Sequence, residues 1–332
     1  MTEGRPDEYR PSGVPRRKLL YILGDNRSGS TMLSAILNGV DGFASVGEMW
    51  YYWQRGCVEN WLCSCGEAFR DCPFWSAVDR RVNEADRRRR LAEALSLFAA
   101  RQTRGRDLVN RLVLWKHRRR RRQGERAAAA RAFGAVFEVL FEFSGARVLV
   151  DSSKVPTMAA LHELNEAYDT YFLHLLRDPR AKTYSEHYRK RVQVGDGRGA
   201  KEMGKALWLS VHRWNTLNRR GNAFAKTNRY LRLRYEQFVA DPAGAVRRIV
   251  AFVDEDPQLV EQADGGFPVG DLHLFSGNPS RMASDVMTVR ADMEWCEKYP
   301  PVAKAMVSLA TWPLRRTYGY PWAVAQARGE EV

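Results

Sequence analysis

The chain has 332 residues, 45% of them hydrophobic, enough to bury a full core and close to the upper size for one domain. Its formal net charge of +14 points to an anionic partner, a demand that a nucleotide, RNA, an acidic carbohydrate or an anionic membrane surface would each meet. No run approaches the ~20 consecutive apolar residues of a membrane span, and the opening Met1–Pro6 carries no apolar secretory core; a soluble, cytoplasmic protein without a transmembrane segment is predicted.

Residues 1–17, with Pro6, Pro11, Gly13 and Pro15 set among charges, read as a flexible tail. A single domain is expected over 18–325, carrying a cysteine loop and helical insertion at 57–145, with a second tail over 326–332. The apolar run Leu19–Leu23 predicts a strand over 18–23, leading into Gly24-Asp25-Asn26-Arg27-Ser28-Gly29-Ser30-Thr31-Met32 and a helix over 30–38. A strand, a glycine turn and a helix start aim several backbone N–H groups and the positive helix end at one point, which suits phosphate. The Gly24-to-Gly29 spacing matches the nucleotide-binding P-loop. Ser30 and Thr31 come next, however, where Lys and then Ser or Thr belong, and the cation is Arg27 inside the loop. An ordinary strand–turn–helix is the alternative reading of this segment.

A short strand over 43–46 precedes Glu48, from which a helix is expected. Trp50, Tyr51, Tyr52 and Trp53 either line an apolar pocket there or pack into the core. Four of the five cysteines then cluster as Cys57, Cys63, Cys65 and Cys72, with Cys296 apart. In a reducing compartment such a cluster argues for structural zinc or a tight metal-free knot before disulfides, although its spacing departs from paired Cys-x₂-Cys sites. A catalytic metal is not expected. Long helices are expected across 75–143, with Arg87–Arg90 and Arg118–Arg122. Consecutive arginines point all round a helix, so they read as solvated surface, with attraction of a substrate or membrane as the other possibility.

Arg147–Asp151 predicts a strand over 146–151, with Ser152-Ser153-Lys154 beyond it, then a helix over 156–166. Thr170–Leu176 predicts a buried strand that runs into Arg177-Asp178-Pro179-Arg180-Ala181, with Ser185 about two helical turns further on in a helix over 179–190. Arg177 and Ser185 would face a second phosphate near the first, and Asp178 would order the strand end. The glycine loop 194–199 is a mobile lid or a plain connector, with a helix over 200–220 and a strand over 229–234 beyond it. His174 reads as a satisfied core residue, while His117, His162, His187, His212 and His273 show no partner pattern of a nucleophile or ligand pair; His187 and Tyr184 are placed to face a substrate. Strands alternating with helices imply an α/β fold: a three-layer sandwich with a central parallel sheet, a P-loop-like core, and ligands gathered outside the carboxyl ends of the strands.

Together the two phosphate blocks resemble the sulfotransferases that use 3′-phosphoadenosine 5′-phosphosulfate. In that family an Arg-Ser-Gly-Ser/Thr-Thr loop binds the 5′-phosphosulfate, and an Arg-Asp-Pro-Arg-Ala…Ser block binds the 3′-phosphate. Leu233–Phe238 with Asp241-Pro242 and Ala245–Val250, the loop Gly277-Asn278-Pro279-Ser280-Arg281 after His273, and Thr317–Tyr320 look similar as well; the stretch from about 78 to 145 does not. The cysteine loop is similar to one in some bacterial members. The resemblance implies transfer of a sulfuryl group to a hydroxyl or amine. The nucleotide would be held by Arg27, Ser28, Gly29, Ser30, Thr31, Met32, Arg177, Ser185 and Arg281. Glu48 would act as general base, helix capping being its other role, with Arg27 and Lys154 stabilising charge. The acceptor is left as a glycan, lipid, peptide or small metabolite, with no specific nucleic acid implied and peripheral membrane contact left open. Two other functions fit parts of the pattern: a P-loop kinase with Mg²⁺ held by Thr31 and Asp151, and a non-enzymatic binder of anionic polymers or membrane surfaces.

Overall fold

Five strands, β1 (Lys18–Gly24), β2 (Phe43–Gly47), β3 (Val148–Lys154), β4 (Asp169–Leu176) and β5 (Tyr230–Arg234), form a sheet in the order β2-β3-β1-β4-β5. Every pairing within it is parallel. This is a computed structural model that describes residues 16–83, 119–189, 200–262, 265–277 and 285–321. Residues 1–15 of the first tail, the second tail, Arg87–Arg90, His117, the glycine loop 194–199 and Asn278–Arg281 lie outside those residues, as do the side chains of Arg118–Arg122.

β1 is central, and its alternation explains why its sequence is an unbroken apolar run. Leu19, Tyr21 and Leu23 face one core with Phe133 and Phe137 of α3 (Arg119–Ser144) and Met158 of α4 (Pro156–Glu163). Leu20 and Ile22 face the other core with Leu33 and Ile36 of α1 (Ser30–Asn38) and with Val246 and Ile249 of α8 (Pro242–Phe252). Side chains of period two that are buried on both faces require an apolar residue at every position. Each of these fully buried aliphatic residues contributes about 1.5–3 kcal/mol. The remaining helices are α2 (Pro73–Asn83), α5 (Pro179–Thr183), α6 (Ala200–Gly221), α7 (Tyr235–Ala240), α9 (Glu294–Lys298), α10 (Pro301–Ala310) and α11 (Trp312–Thr317). Among the described residues no helix is long and apolar enough to cross a membrane.

From β1 the chain steps outward to β2, returns to β3 beside β1, and then places β4 on the opposite side. The order reverses at β1, so a crevice opens above its carboxyl end. Three departures from the expected elements matter there. β3 runs on past Asp151 to Lys154, with register shifts against β1 between Tyr21 and Leu23 and against β2 between Ser45 and Gly47. The segment after Glu48 is a 3₁₀ turn, Met49–Tyr51, and then a π-helical turn, Tyr52–Val58. The helix expected over 179–190 is instead α5 joined to a π-helical turn, Tyr184–Tyr188. A wide turn inserts an extra residue per turn and rotates the residues beyond it, and such turns are frequent beside functional sites.

Candidate functional site

The loop between β1 and α1 can be built only with glycine at its two ends. Gly24 has φ 149° and a Cβ there would stand 2.4 Å from the Leu175 carbonyl oxygen; Gly29 has φ 88° and its Cβ would stand 2.7 Å from the Tyr235 ring. Between them Arg27 also adopts a positive φ of 65°. No acidic residue occupies the first turn of α1, and no side chain caps it. Its N–H groups and positive end are therefore not neutralised from within the helix. Ser28, Ser30 and Thr31 are buried along this start.

The loop is braced from behind. Arg213 Nε donates to Asp25 Oδ1 at 2.9 Å, and Lys182 Nζ lies 2.9 Å from Asp25 Oδ2 and 2.7 Å from Glu186 Oε2. Arg213 also pairs with Glu186. Burial pushes the Glu186 carboxyl up, but Lys182, Arg213 and Ser210 outweigh it and hold the group well below the usual carboxylate range.

On its open side the loop meets the end of β4. Arg27 Nε donates to Ser185 Oγ at 3.2 Å, and Arg177 Nη1 donates to the Arg27 carbonyl oxygen at 2.7 Å. Arg177 also lies over the Tyr235 ring, 4.4 Å from its centroid. Its Nη2 bonds Asp292 Oδ2 at 2.6 Å, while Arg189 pairs with the other oxygen of the same carboxylate. Three guanidinium groups thus meet here. Burial and the Arg177 and Arg189 charges pull the Arg27 guanidinium below its ordinary value. Burial raises Asp292, yet Arg189 and Arg177 hold it below the usual carboxylate range. Such crowding of cations around one carboxylate suits an anion with several oxygens.

The second cluster lies at the ends of β2 and β3. Glu48 is 8% exposed; Lys154 bonds its Oε1, Ser276 Oγ donates to its Oε2 at 3.1 Å, and Arg55 Nη1 lies 3.7 Å from Oε2. The Glu48 side chain makes no helix-cap bond. Lys154, at φ 69°, also donates to the Ser152 carbonyl oxygen at 2.9 Å. Trp50 and Tyr51 flank this pair half-buried, whereas Tyr52 is fully buried against Phe69, Trp75 and Phe275. All four aromatics thus belong to the core cluster or pack against it, Trp50, Tyr51 and Trp53 from its partly buried margin.

Residues 20–258 match a family model described as the sulfotransferase family. The chain belongs to the sulfotransferase family. It superposes on the sulfotransferase domain of an olefin synthase from Synechococcus PCC 7002 with a TM-score of 0.52 and 18% identity, covering 95% of this chain and 99% of that one. The sulfotransferase domain of the curacin biosynthetic pathway aligns at TM-score 0.48 and 18% identity, covering 92% and 98%. A sulfotransferase from Mycobacterium avium aligns at TM-score 0.45 and 16% identity, covering 92% and 77%. No curated protein sequence matches significantly. Family membership displaces the kinase and non-enzymatic readings. Asp151, the magnesium ligand a kinase would need, is fully buried, with Oδ1 taken by the Ser153 amide at 2.8 Å and Oδ2 3.7 Å from His162 Nε2.

Within this sulfotransferase several other expected residues have found places. Asp178 caps α5 by accepting from the Arg180 amide at 2.8 Å, and its own amide donates to Glu236 Oε1 at 3.0 Å. Tyr320 Oη donates to Glu236 Oε2 at 3.0 Å, so the carboxyl-terminal Tyr-Gly-Tyr braces the Arg177 strand end. His174 is buried between Tyr230 and Asn218, and burial lowers its pKa to about 4. Tyr184, expected to face a substrate, instead packs with Tyr299 and Trp295. Arg281 lies outside the described residues. The cysteine expectation needs two corrections. Cys57 turns away, its Sγ 3.5 Å from Asp79 Oδ1, and the fourth group beside Cys63, Cys65 and Cys72 is His273. His273 therefore does have ligand-type partners, which about two hundred intervening residues hide in the sequence.

Proposed function

We propose that this sulfotransferase moves a sulfuryl group from 3′-phosphoadenosine 5′-phosphosulfate to an acceptor hydroxyl or amine on a glycan, lipid, peptide or small metabolite. The observation that carries the reading is the junction of the two phosphate blocks: Arg27 bonds Ser185, and Arg177 bonds the Arg27 carbonyl. Glycine turn and strand end form one continuous anion-binding surface, as a nucleotide charged at two places on its ribose requires. The N–H groups from Ser28 to Met32, with the Ser30 and Thr31 hydroxyls, take the 5′ end. Arg177 and Ser185, helped by Arg189, take the 3′-phosphate.

In the reaction the acceptor oxygen or nitrogen attacks sulfur as the bond from sulfur to the 5′-phosphate oxygen breaks. The electron pair of that bond leaves with the phosphate, giving adenosine 3′,5′-bisphosphate, and the acceptor proton passes to Glu48. Charge grows on the departing phosphate oxygen and the sulfuryl oxygens, where Arg27 and Lys154 stabilise it. Arg27 must turn from Ser185 toward the 5′ end to do so.

Thermal shift tests the nucleotide. A ligand at a hundred times its Kd adds about 2.7 kcal/mol, or roughly 4 °C for a chain of this size. Adenosine 3′,5′-bisphosphate should give this shift, with ATP plus Mg²⁺ and AMP giving less; equal shifts from all three overturn the reading. Mass spectrometry of an extract incubated with labelled donor tests the chemistry. Glu48→Gln should cut transfer by about 10²–10⁴-fold and leave bisphosphate affinity near that of the unsubstituted protein. Undiminished transfer by that variant removes Glu48 as the base.

A further inference from the structure

Cys63, Cys65, Cys72 and His273 come from two segments that sulfuryl transfer does not require to meet, yet their ligand atoms all lie within 4.8 Å of one another. Cys72 Sγ is 3.3 Å and Cys63 Sγ 3.9 Å from His273 Nδ1. A tetrahedral zinc with Zn–S about 2.3 Å and Zn–N about 2.0–2.1 Å sets S···N edges near 3.6 Å and S···S edges near 3.8 Å. The observed separations bracket the first of these. Three thiols cannot pair off into disulfides, and three sulfurs with one imidazole nitrogen form a donor set typical of closed, structural zinc.

The surroundings aim these atoms. Cys63 and Cys65 sit on a tight knuckle: the Cys63 amide donates to the Glu67 carbonyl oxygen at 2.7 Å, the Gly66 amide to the Cys63 carbonyl oxygen at 3.1 Å, and Gly66 has φ 94°. Between the two cysteines, Ser64 holds the other segment on both sides of His273. Its hydroxyl donates to the Leu272 carbonyl oxygen and accepts from the Leu274 amide, and its own amide donates to the Leu274 carbonyl oxygen. Trp75 Nε1 donates to the His273 carbonyl oxygen at 2.9 Å, and Phe74 stacks on the imidazole at 10° between planes. A ring fixed by its own backbone and by an aromatic face holds Nδ1 in place before any ion arrives, which lowers the cost of binding one.

We propose that Cys63, Cys65, Cys72 and His273 bind one zinc ion that staples segment 272–276 to the cysteine loop. Three residues beyond His273, Ser276 Oγ contacts both Glu48 Oε2 and Arg55 Nη1, so the staple fixes the wall of the Glu48 cluster. The zinc is structural, with all four positions filled from the chain. The assignment stands on the ligand geometry and is independent of the sulfuryl donor.

Elemental analysis of the full chain, purified under reducing conditions without chelator and incubated with zinc, should give about one zinc per chain. Cys65→Ser and His273→Ala should fall well below that value, while Cys57→Ser retains it. Cobalt tests the geometry without a substitution that threatens folding. The unsubstituted protein exchanged into Co²⁺ should show the visible bands of a tetrahedral ion and a thiolate-to-cobalt charge-transfer band. His273→Cys should keep the ion and strengthen the second band. Absence of both zinc and tetrahedral cobalt from the unsubstituted protein overturns the proposal, as does loss of the ion in Cys57→Ser to the extent seen in His273→Ala.

Discussion

Arg177→Ala removes three interactions at once: the bond to the Arg27 carbonyl at 2.7 Å, the ion pair with Asp292 at 2.6 Å and the contact over the Tyr235 ring. Only part of the loss concerns a 3′-phosphate, because the bond to Arg27 also shapes the glycine turn. A thermodynamic cycle separates the two effects by comparing adenosine 3′,5′-bisphosphate with AMP, which lacks the 3′-phosphate, on both proteins. Hydrogen bonds to charged groups are worth about 1.5–3 kcal/mol each. Loss of such a bond together with the loosened turn should weaken the bisphosphate by about 3 kcal/mol, near 150-fold, whereas the loosened turn alone should weaken AMP by about 1 kcal/mol, near 5-fold. The expected coupling is thus about 2 kcal/mol, a factor of roughly 30. Isothermal titration calorimetry reads all four affinities, and denaturation of the free proteins checks that the variant is folded. A coupling below about 0.5 kcal/mol, the usual scatter for independent groups, would refute the placement of the 3′-phosphate on Arg177.

Asp292 occupies Arg177 and Arg189 in the free protein. Asp292→Asn should tighten the bisphosphate several-fold by removing the competing charge, while AMP binding stays unchanged in the same titration. Glu186 contributes to acid stability: its folded pKa lies below the ordinary carboxylate value of 4.5, so its contribution is complete above that pH. Below it the unfolded chain takes up the proton first, and the contribution is lost as pH falls toward the depressed value. Melting temperatures between about pH 5 and pH 2.5 should therefore decline less steeply for Glu186→Gln than for the unsubstituted protein; parallel curves would show that the Lys182–Glu186–Arg213 network does not carry the acid limb.

The parts of the site legible in the sequence are those carried by strand ends. A buried strand announces itself by an apolar run, and the residue leaving its carboxyl end is then placed to within a position or two. Glu48 and Arg177, each the residue after a strand, are legible in this way; Arg27 is read from the glycine turn, Lys154 ends a strand that runs three residues past its expected end, and the roles of Glu48 and Lys154 rest on the family resemblance. Ser185 is legible only by matching a motif, because the π-helical turn Tyr184–Tyr188 breaks the periodicity on which a helical count depends. Arg189, just beyond that turn, escapes notice for the same reason, and Arg55 lies within the other one, Tyr52–Val58. Ser276, Asp292 and His273 come from carboxyl-terminal segments with little regular structure, and nothing in their own spacing says what they approach. Cys57 shows the opposite error. Counting cysteines favours neighbours in sequence, whereas the chain turns Cys57 toward Asp79 and brings His273 across instead.

The strand order β2-β3-β1-β4 sets out Glu48, Lys154, the glycine turn and Arg177 on successive strand ends of one sheet edge. Parallel strands lie about 4.8 Å apart, so Glu48 and Arg177 are separated by three steps, roughly 14 Å. No single small anion can touch both. A ligand that engages the two ends must be elongated, and the glycine turn lies between them to take its middle. On the proposed function the same spacing would divide the work: groups at the β4 end would meet the ligand far from the bond that breaks, and groups at the β2 end would meet the acceptor. Substitution of Arg177 should therefore appear in affinity and substitution of Glu48 in turnover, a split that one crowded pocket holding both residues would not produce.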